Sequence, residues 1–265
     1  MFDVQDKLVL IVGGAGQIGR EISKGFLKQG SKVIVIDTDG AIENFDLGID
    51  FIQYEKMLTL QSCDITNQIN LDLISDGLKS TGSTPSVLIN MAHYKGPKNL
   101  TPGHSFFSSF ESYPLEEWQS TLQTNLTGLY LSCQTFGTLM KNSGGSIINF
   151  SSTYGLVSPQ HGMYGDSGIN IPIGYSTTKA AIIGFTRYLA TYWADSRIRV
   201  NCITPGGVRN EAQTDEFVSE YIKRTPLGRM AESNEYVGAS IFLASNSSAY
   251  MTGSNLVIDG GWTAW

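Results

Sequence analysis

The chain has 265 residues, of which 24 are acidic and 18 are basic, so its formal net charge is −6 at neutral pH. This acidic balance argues against a nucleic-acid partner, because binding to a phosphate backbone selects a basic face. No apolar run is long enough to cross a bilayer, and the amino terminus lacks the features of a signal peptide, so we expect no membrane association. Cys63, Cys133 and Cys202 lie far apart in apolar segments, which favours reduced, buried thiols and a cytoplasmic location.

The first motif is a glycine-rich turn between a strand and a helix. Lys7 to Val12 is a short apolar run that predicts a buried parallel strand, and a helical pattern follows the turn. Glycines let the backbone turn sharply, and the free N–H groups of a helix N-terminus favour a pyrophosphate. The alternative is a tight turn that binds no ligand. The cofactor candidates here are Gly13, Gly16, Gln17, Ile18 and Gly19.

A second apolar strand, Ser31 to Ile36, ends at Asp37. A carboxylate at this point can accept both ribose hydroxyls of an adenosine. It would repel a 2′-phosphate, and Thr38 offers no compensating positive charge. The sequence therefore predicts NAD as the cofactor, with NADP less favoured.

Two further strands are expected before the middle of the chain. A helix placed loosely at Phe45 to Tyr54 precedes an alternating strand from Met57 to Cys63, and a helix from Leu71 to Leu78 precedes a buried strand from Ser86 to Met91. Ligands bind at the carboxyl ends of such strands, although plain loop chemistry is an equal alternative for the first of them. From His93 to Glu111 no periodicity is present, and we expect a loop in the substrate wall. The cofactor candidates at these strand ends are Asp64, Ile65, Asn90 and Ala92.

The middle of the chain predicts a helix, a strand and a loop. Pro114 to Met140 has helical apolar spacing with Asn125 inside it, where asparagine is a poor helix former. Ser146 to Phe150 predicts a strand that brings Ser152 to its carboxyl end. Residues Thr153 to Gly174 hold several glycines and predict an ordered loop.

A helix from Tyr175 to Ala194 follows and opens with Tyr175-Ser-Thr-Thr-Lys179. This spacing places a phenol and an ammonium on one face of the helix, one turn apart. An ammonium beside a phenol lowers the pKa of the phenol, but the lysine alone hardly suffices to bring that pKa close to neutral pH. The positive ring of a cofactor and a shared hydrogen bond would have to contribute as well. Alone, the pair is more often an ordinary feature of a helix surface.

The last part of the chain completes the alternation of strands and helices. It predicts strands at Ile198 to Thr204 and Asn255 to Ile258, and helices at Thr214 to Lys223 and Ser233 to Ala244. No linker or change of composition interrupts residues 1–265. We therefore predict one α/β domain, a Rossmann-type doubly wound parallel sheet of about seven strands with helices on both faces.

In this order, the motifs resemble those of the short-chain dehydrogenase/reductase family, in its short single-domain branch. The similarity extends from Leu8 to Gly261 and includes Asn90-Met-Ala92, Pro205-Gly206 and Asp259-Gly-Gly261. The resemblance implies a nicotinamide cofactor and a homo-oligomer, either a tetramer or a dimer; the apolar tail after Gly261 is a candidate for packing on a neighbouring subunit. It also implies cofactor contacts from Tyr175, Lys179, Pro205, Gly206 and Val208.

The resemblance further implies a catalytic tetrad. Tyr175 would exchange a proton with the substrate oxygen as general acid or base, and Lys179 would lower its pKa and bind the nicotinamide ribose. Ser152 would hold and polarise the reacting group, and Asn125 would hold a water that links Lys179 to solvent. The implied function is an NAD-dependent oxidoreductase that transfers a hydride between nicotinamide and a secondary alcohol or ketone.

The chain departs from the family pattern in four places. Gln17 replaces the middle glycine of the glycine-rich turn. His93 stands where family members usually have a glycine after Asn-x-Ala. Asn210 stands where a threonine often contacts the nicotinamide amide. The connection from Ser152 to Tyr175 is longer than is usual, so residues 156–174 form an insertion beside the site.

The insertion resembles the version found in a bacterial subgroup linked to flagellin modification and sialic-acid-like sugars. Its polar and aromatic residues, including Asp166, suit a sugar or polyol substrate, with or without a phosphate, better than a steroid; the alternative is a loop that serves subunit packing. No histidine has a partner at metal-ligand spacing, so no metal is predicted. The substrate candidates are His93, Tyr154, His161, Tyr164 and Arg209.

Two other functions compete with this interpretation. A redox-silent dinucleotide sensor or scaffold could keep the fold and lose the chemistry, although such proteins typically lose the tyrosine or the lysine. Enoyl reduction is a third possibility, and it is disfavoured because enoyl-reducing relatives usually have a wider spacing than that of Tyr175 and Lys179.

Overall fold

The computed structural model describes residues 2–48, 51–94, 96–97, 100–165 and 167–265. These residues form a seven-stranded parallel sheet in the order β3-β2-β1-β4-β5-β6-β7. The order reverses between β1 and β4, which is the crevice where doubly wound sheets bind ligands. The strands are β1 (Leu8–Val12), β2 (Lys32–Asp37), β3 (Leu58–Ser62), β4 (Val87–Asn90), β5 (Gly145–Phe150), β6 (Ile198–Pro205) and β7 (Asn255–Ile258).

Helices cover both faces of the sheet, as predicted. None of the helices in the described part of the chain is long and apolar enough to cross a membrane. The α-helices are α1 (Gln17–Lys28), α2 (Asp39–Glu43), α3 (Gln68–Ser80), α4 (Leu115–Leu122), α5 (Leu129–Ser132), α6 (Ile173–Tyr192), α7 (Asp215–Ile222) and α8 (Val237–Ala244).

Alternate residues of each central strand enter two separate hydrophobic layers. In β1, Val9 and Ile11 pack with α1 and α8, whereas Leu10 and Val12 pack with α3, α5 and α6. All four side chains are buried, which explains why the strand is an unbroken apolar run. Burying one such side chain stabilises the fold by about 1.5–3 kcal/mol, so the sheet forms a rigid base for its carboxyl edge.

The predicted helix at Phe45 to Tyr54 is wrong. The chain instead forms the short helix α2 and a 3-10 turn at Phe51–Tyr54. Between them, the Asp46 carboxylate accepts a hydrogen bond from the Gly48 N–H at 2.7 Å, and Gly48 has a φ of +60°. This local turn competes with helix formation, and Phe45, Leu47 and Tyr54 are buried in the core without a continuous helix.

The predicted helix at Pro114 to Met140 is confirmed in position but differs in kind. Helix α4 continues through a π-helical stretch, Gln123–Gly128, into α5 and a second π-helical stretch, Cys133–Gly137. π-helical turns are rare and are often found at functional sites. The first stretch contains Asn125, so the wider turn changes where this side chain lies relative to α6.

Candidate active site

One cleft runs along the carboxyl edge of the sheet, from the glycine turn to the segment between β6 and α7. Its volume of about 1140 Å³ exceeds that of a typical small-molecule pocket and suits a dinucleotide together with a small substrate. Most of the predicted site residues line it. These are Gly13, Gly16, Gln17, Ile18, Gly19, Asp37, Asp64, Ile65, Ala92, His93, Ser152, Tyr154, Tyr164, Tyr175, Lys179, Pro205, Gly206 and Val208.

The glycine turn is shaped for close approach of backbone to backbone. Gly13 has a φ of +79°, and a Cβ there would collide with the backbone of Ala92 at the end of β4. A Cβ at Gly19 would lie 2.6 Å from the Gly14 carbonyl oxygen. Gly16 precedes α1 and places no side chain over the helix N-terminus, so the N–H groups there can face an anion.

Asp37 is held in place at the other side of this turn. Its Oδ2 accepts a hydrogen bond from the Ala15 N–H at 3.0 Å, and its Oδ1 accepts one from the Thr38 N–H at 2.9 Å. The nearby Arg20 does not line the cleft, because its Nε donates to the Ala15 carbonyl oxygen at 2.9 Å. Among the described residues that line the cleft, the only lysine or arginine is Lys179 at the other end, so the charged side chains near this corner are the carboxylates of Asp37 and Asp64.

A buried polar network lies beneath the middle of the cleft. The Asn90 Nδ2 donates to the Asn149 Oδ1 at 3.0 Å, and the Ser132 Oγ donates to the Asn90 Oδ1 at 2.7 Å. The Asn149 Nδ2 in turn donates to the Thr186 Oγ1 at 2.9 Å. These bonds join β4, β5, α5 and α6, so Asn90 fixes the strand ends and does not itself line the cleft.

Tyr175 lies in the first turn of α6 and faces Ser152, which follows β5. The pKa of Tyr175 is raised, because the surrounding protein desolvates the phenolate, and the Ser152 hydroxyl opposes this rise. The Ser152 Oγ also accepts a hydrogen bond from the Tyr154 N–H at 3.2 Å, at the start of a 3-10 turn. The two hydroxyls thus meet at one point of the cleft wall.

Lys179 lies one turn further along α6 and is only 3% exposed. Its Nζ donates to the Phe150 carbonyl oxygen at 2.9 Å and lies 5.6 Å from the centroid of the Tyr175 ring. Burial lowers the pKa of Lys179 to about 8. Burial also raises the pKa of the neighbouring phenol, so the net shift at Tyr175 is upward.

Asn125 is buried and joins α6 to the segment after β4. Its Nδ2 donates to the Thr178 Oγ1 at 2.9 Å, and its Oδ1 accepts from the Tyr94 N–H at 2.7 Å. Asn125 and Asn90 line a small internal cavity of about 10 Å³, close to the size of one water. The side chain therefore lies behind the Tyr175 helix and outside the main cleft.

Comparisons with known proteins assign the family. A family model described as "Enoyl-(Acyl carrier protein) reductase" matches residues 13–263. A solved short chain dehydrogenase from Leptospira borgpetersenii, with bound NAD+, is 38% identical, with a TM-score of 0.86 over 98% of this chain and 94% of that one. This chain belongs to the short-chain dehydrogenase/reductase (SDR) family.

Relatives of this SDR protein act on different alcohols. A curated NAD-dependent glycerol dehydrogenase from Listeria innocua is 28% identical over 99% of this chain and 96% of its own length. A 3-alpha-(or 20-beta)-hydroxysteroid dehydrogenase from Mycobacterium bovis is 34% identical, with 97% and 90% covered. A solved gluconate 5-dehydrogenase from Burkholderia cenocepacia, in complex with NADP and tartrate, covers 100% of this chain and 98% of its own with a TM-score of 0.84; at 22% identity it supports the fold alone.

Two departures from the SDR pattern have structural consequences. Gln17 lines the cleft, and its Nε2 donates to the Arg209 carbonyl oxygen at 2.6 Å, which joins the glycine turn to the segment after β6. The ring of His93 packs edge-on against Tyr175, with 6.1 Å between centroids, and its Nδ1 lies 3.4 Å from the Met91 carbonyl oxygen. Both residues are part of the cleft wall where a glycine would leave open space.

Two of the predicted substrate residues lie outside the cleft. The His161 Nδ1 pairs with the Asn170 Oδ1 at 2.9 Å, within the insertion. The Arg209 guanidinium points toward Asp215, with 3.7 Å between Nη2 and Oδ1. Asp166 lies outside the described residues.

Sequence reasoning missed an aromatic wall at the end of the cleft that holds Tyr175. Tyr221 lines the cleft, accepts a hydrogen bond from the Gly207 N–H at 2.5 Å and stacks on Trp262 with centroids 4.4 Å apart. Phe217, one turn earlier on α7, packs against Tyr164 with centroids 5.2 Å apart. The four-residue spacing of Phe217 and Tyr221 indicates that both lie on one face of α7. The sequence does not indicate that this face lines the cleft. Trp262 is buried against its own chain, while Trp265 is 79% exposed.

Proposed function

We propose that the protein is an NAD-dependent oxidoreductase that transfers a hydride between nicotinamide and a secondary alcohol or ketone of a sugar or polyol. The observation that carries this proposal is the meeting of Ser152, Tyr175 and Lys179 at one end of a cleft whose other end is the glycine turn with Asp37. The glycerol dehydrogenase relative supports a polyol-type substrate.

The residues present fit a dinucleotide. Gly13 brings the turn against Ala92, and the uncapped N-terminus of α1 can receive a pyrophosphate. Asp37 would hold the adenosine ribose and disfavour a 2′-phosphate, which supports NAD over NADP. Lys179 and the Pro205-Gly206 edge would hold the nicotinamide half, and Asp64 and Ile65 the adenine. The bound nicotinamide supplies the hydride donor or acceptor.

Tyr175 is proposed to hold the transferred proton at its Oη. Its raised pKa keeps this hydroxyl protonated at neutral pH, so it can donate a proton to a carbonyl oxygen during reduction. Ser152 would donate a hydrogen bond to the same oxygen and so fix it beside the phenol. In the oxidation direction, Tyr175 needs added positive charge to accept the proton, and Lys179 provides part of it when its amine is protonated.

A route for the proton is proposed behind the helix. The Lys179 amine, with a pKa of about 8, can exchange a proton near neutral pH. Asn125 and the small cavity beside it would link this amine to solvent through one water, the role that the family resemblance implies. No other charged group is required by this route.

The proposal is tested with the wild-type protein. Absorbance at 340 nm is followed with NAD or NADH and a panel of polyols, sugars and the corresponding ketones, and Kd is measured for NAD and NADP. We expect turnover with at least one alcohol and a lower Kd for NAD. A lower Kd for NADP would contradict the role of Asp37.

Two alternatives are separated by the same assay. Binding of NAD without turnover on any alcohol or ketone would favour the redox-silent sensor or scaffold. The matching family model is described as an enoyl reductase, which supports enoyl reduction as an alternative. NADH oxidation in the presence of a short enoyl thioester, but not in the presence of any ketone of the panel, would favour it.

We also propose a cytoplasmic homo-oligomer, a tetramer or a dimer, of single-domain subunits. Large aromatic side chains are exposed on α6, with Tyr188 at 62% and Tyr192 at 66%, and Trp265 is exposed at the tail. Light scattering coupled to gel filtration measures the mass in solution. A mass of 28.9 kDa, that of one chain, would contradict the oligomer.

A further inference from the structure

The insertion, residues 156–174, is anchored at the substrate end of the cleft by its own packing. Its 3-10 turn, His161–Tyr164, lies against α7. Met163 is 4% exposed and is buried with Tyr221, Met230 and Trp262. The contact between His161 and Asn170 joins the first residue of this turn to a later residue of the insertion. Tyr164 is therefore held at the cleft by apolar packing on one side and by the turn on the other.

Two phenols face the reacting point from this direction. Tyr154 follows Ser152 by two residues, and its ring and that of Tyr164 both line the cleft. Their hydroxyls interact with each other, and each lies close enough to Tyr175 for an electrostatic interaction with its phenolate form. Burial raises the pKa of both phenols, so they remain neutral hydrogen-bonding groups at physiological pH.

The same end of the cleft offers little fixed positive charge. Among the described residues that line the cleft, Lys179 is the only lysine or arginine, and its Nζ already donates to a backbone carbonyl. Of the nearby arginines, Arg224 is paired with the Glu220 Oε2 at 3.0 Å. Arg209 does not line the cleft; its Nη2 lies 3.7 Å from the exposed Asp215 Oδ1, and its Nη1 is buried without a hydrogen-bond partner. Recognition of a phosphate or carboxylate ordinarily uses an available guanidinium or ammonium, so a charged substrate has no evident partner in these residues.

We propose that the substrate is an uncharged polyhydroxy compound and that the Tyr154 and Tyr164 hydroxyls bind hydroxyl groups beyond its reacting carbon. This inference rests on the proposed function, and it replaces the substrate with or without a phosphate that the sequence suggested. A pair of phenols can donate to and accept from neighbouring hydroxyls of a polyol, while the rings of Phe217 and Tyr221 cover its C–H surface.

The first experiment compares substrates on the wild-type protein at pH 8. Initial rates with NAD are measured for glycerol, threitol, arabinitol and galactose, and for glycerol 3-phosphate, galactose 6-phosphate and gluconate. We expect kcat/KM for the best neutral compound to exceed that for every anion by at least tenfold, because none of the described cleft residues at this end offers an available cation to compensate for desolvation of the anion. A higher kcat/KM for any of the three anions would overturn the proposal.

The second experiment tests the phenols. Tyr154→Phe and Tyr164→Phe each remove one hydroxyl and keep the ring, and Tyr250→Phe at a fully exposed position is the matched control. We expect each site variant to raise KM for the best polyol about five- to tenfold, with Kd for NAD unchanged, since a lost hydrogen bond has this size. The increase in KM caused by each site variant should be smaller with a deoxy analogue of that polyol. An unchanged KM in both variants would overturn the role of the pair.

Failure of this inference can be told from failure of the proposed function. If the wild-type protein turns over an anionic alcohol in preference to a neutral one, the proposed oxidoreductase function stands and the proposal of a neutral polyol substrate fails. If Tyr175→Phe retains wild-type turnover on the best substrate, the proposed chemistry itself fails, whatever the substrate is.

Discussion

The two ends of the cleft are built in different ways. The proposed cofactor end is made from the glycine turn, the carboxyl ends of neighbouring strands and the Asp37 carboxylate, which backbone N–H groups hold in place. The proposed substrate end is made from side chains of segments distant in sequence, with Tyr164 from the insertion, Phe217 and Tyr221 from α7, and Trp262 from the tail. The first end therefore depends on backbone geometry, and the second on side-chain packing.

This difference predicts that each end can be broken without the other, and the cofactor end should give the larger effect. Gly13→Val places a branched side chain at a φ of +79° and against the backbone of Ala92, where the backbone cannot yield. We expect loss of measurable NAD binding, by calorimetry, together with a lower Tm. Gly184→Ala, at a helical glycine with nothing within 4 Å, is the control and should bind NAD normally. A folded Gly13→Val protein with wild-type Kd for NAD would contradict the account of the turn.

At the substrate end, Met163→Ala removes the anchor of the 3-10 turn. The side chain is buried with Tyr221, Met230 and Trp262, so its loss should cost about 2–3 kcal/mol of unfolding free energy. We expect KM for the polyol to rise about tenfold because Tyr164 is no longer fixed, with Kd for NAD within about twofold of wild type. Leu156→Ala, at an exposed position of the same insertion, is the control. Equal losses of NAD and polyol binding in Met163→Ala would show that the two ends are not separable.

The same contrast explains how much could be predicted from the sequence. The positions of Gly13, Asp37, Ser152 and the Tyr175–Lys179 pair along one cleft were predictable, because each follows a strand or opens a helix and parallel strands bring their carboxyl ends to one edge. Their roles stay predictions. The seven-stranded sheet followed from the alternation of apolar runs and helical patterns.

Features that depend on tertiary packing could not be predicted in this way. Nothing in the sequence marks the π-helical stretch around Asn125, which packs against α6. His161 and Arg209 have residue types suited to substrate binding, but their side chains turn to Asn170 and Asp215. The pKa of Lys179 near 8 reflects burial, which a sequence does not show.

The central claim is that Tyr175 holds the proton that is exchanged with the substrate. Tyr175→Phe keeps the ring and removes the hydroxyl, and Tyr250→Phe at a fully exposed position controls for the loss of a phenol elsewhere. With the best substrate of the wild-type protein, we predict that kcat falls about 100- to 10,000-fold in Tyr175→Phe, while Kd for NAD stays within about twofold. A Tyr175→Phe protein with wild-type kcat would contradict the claim.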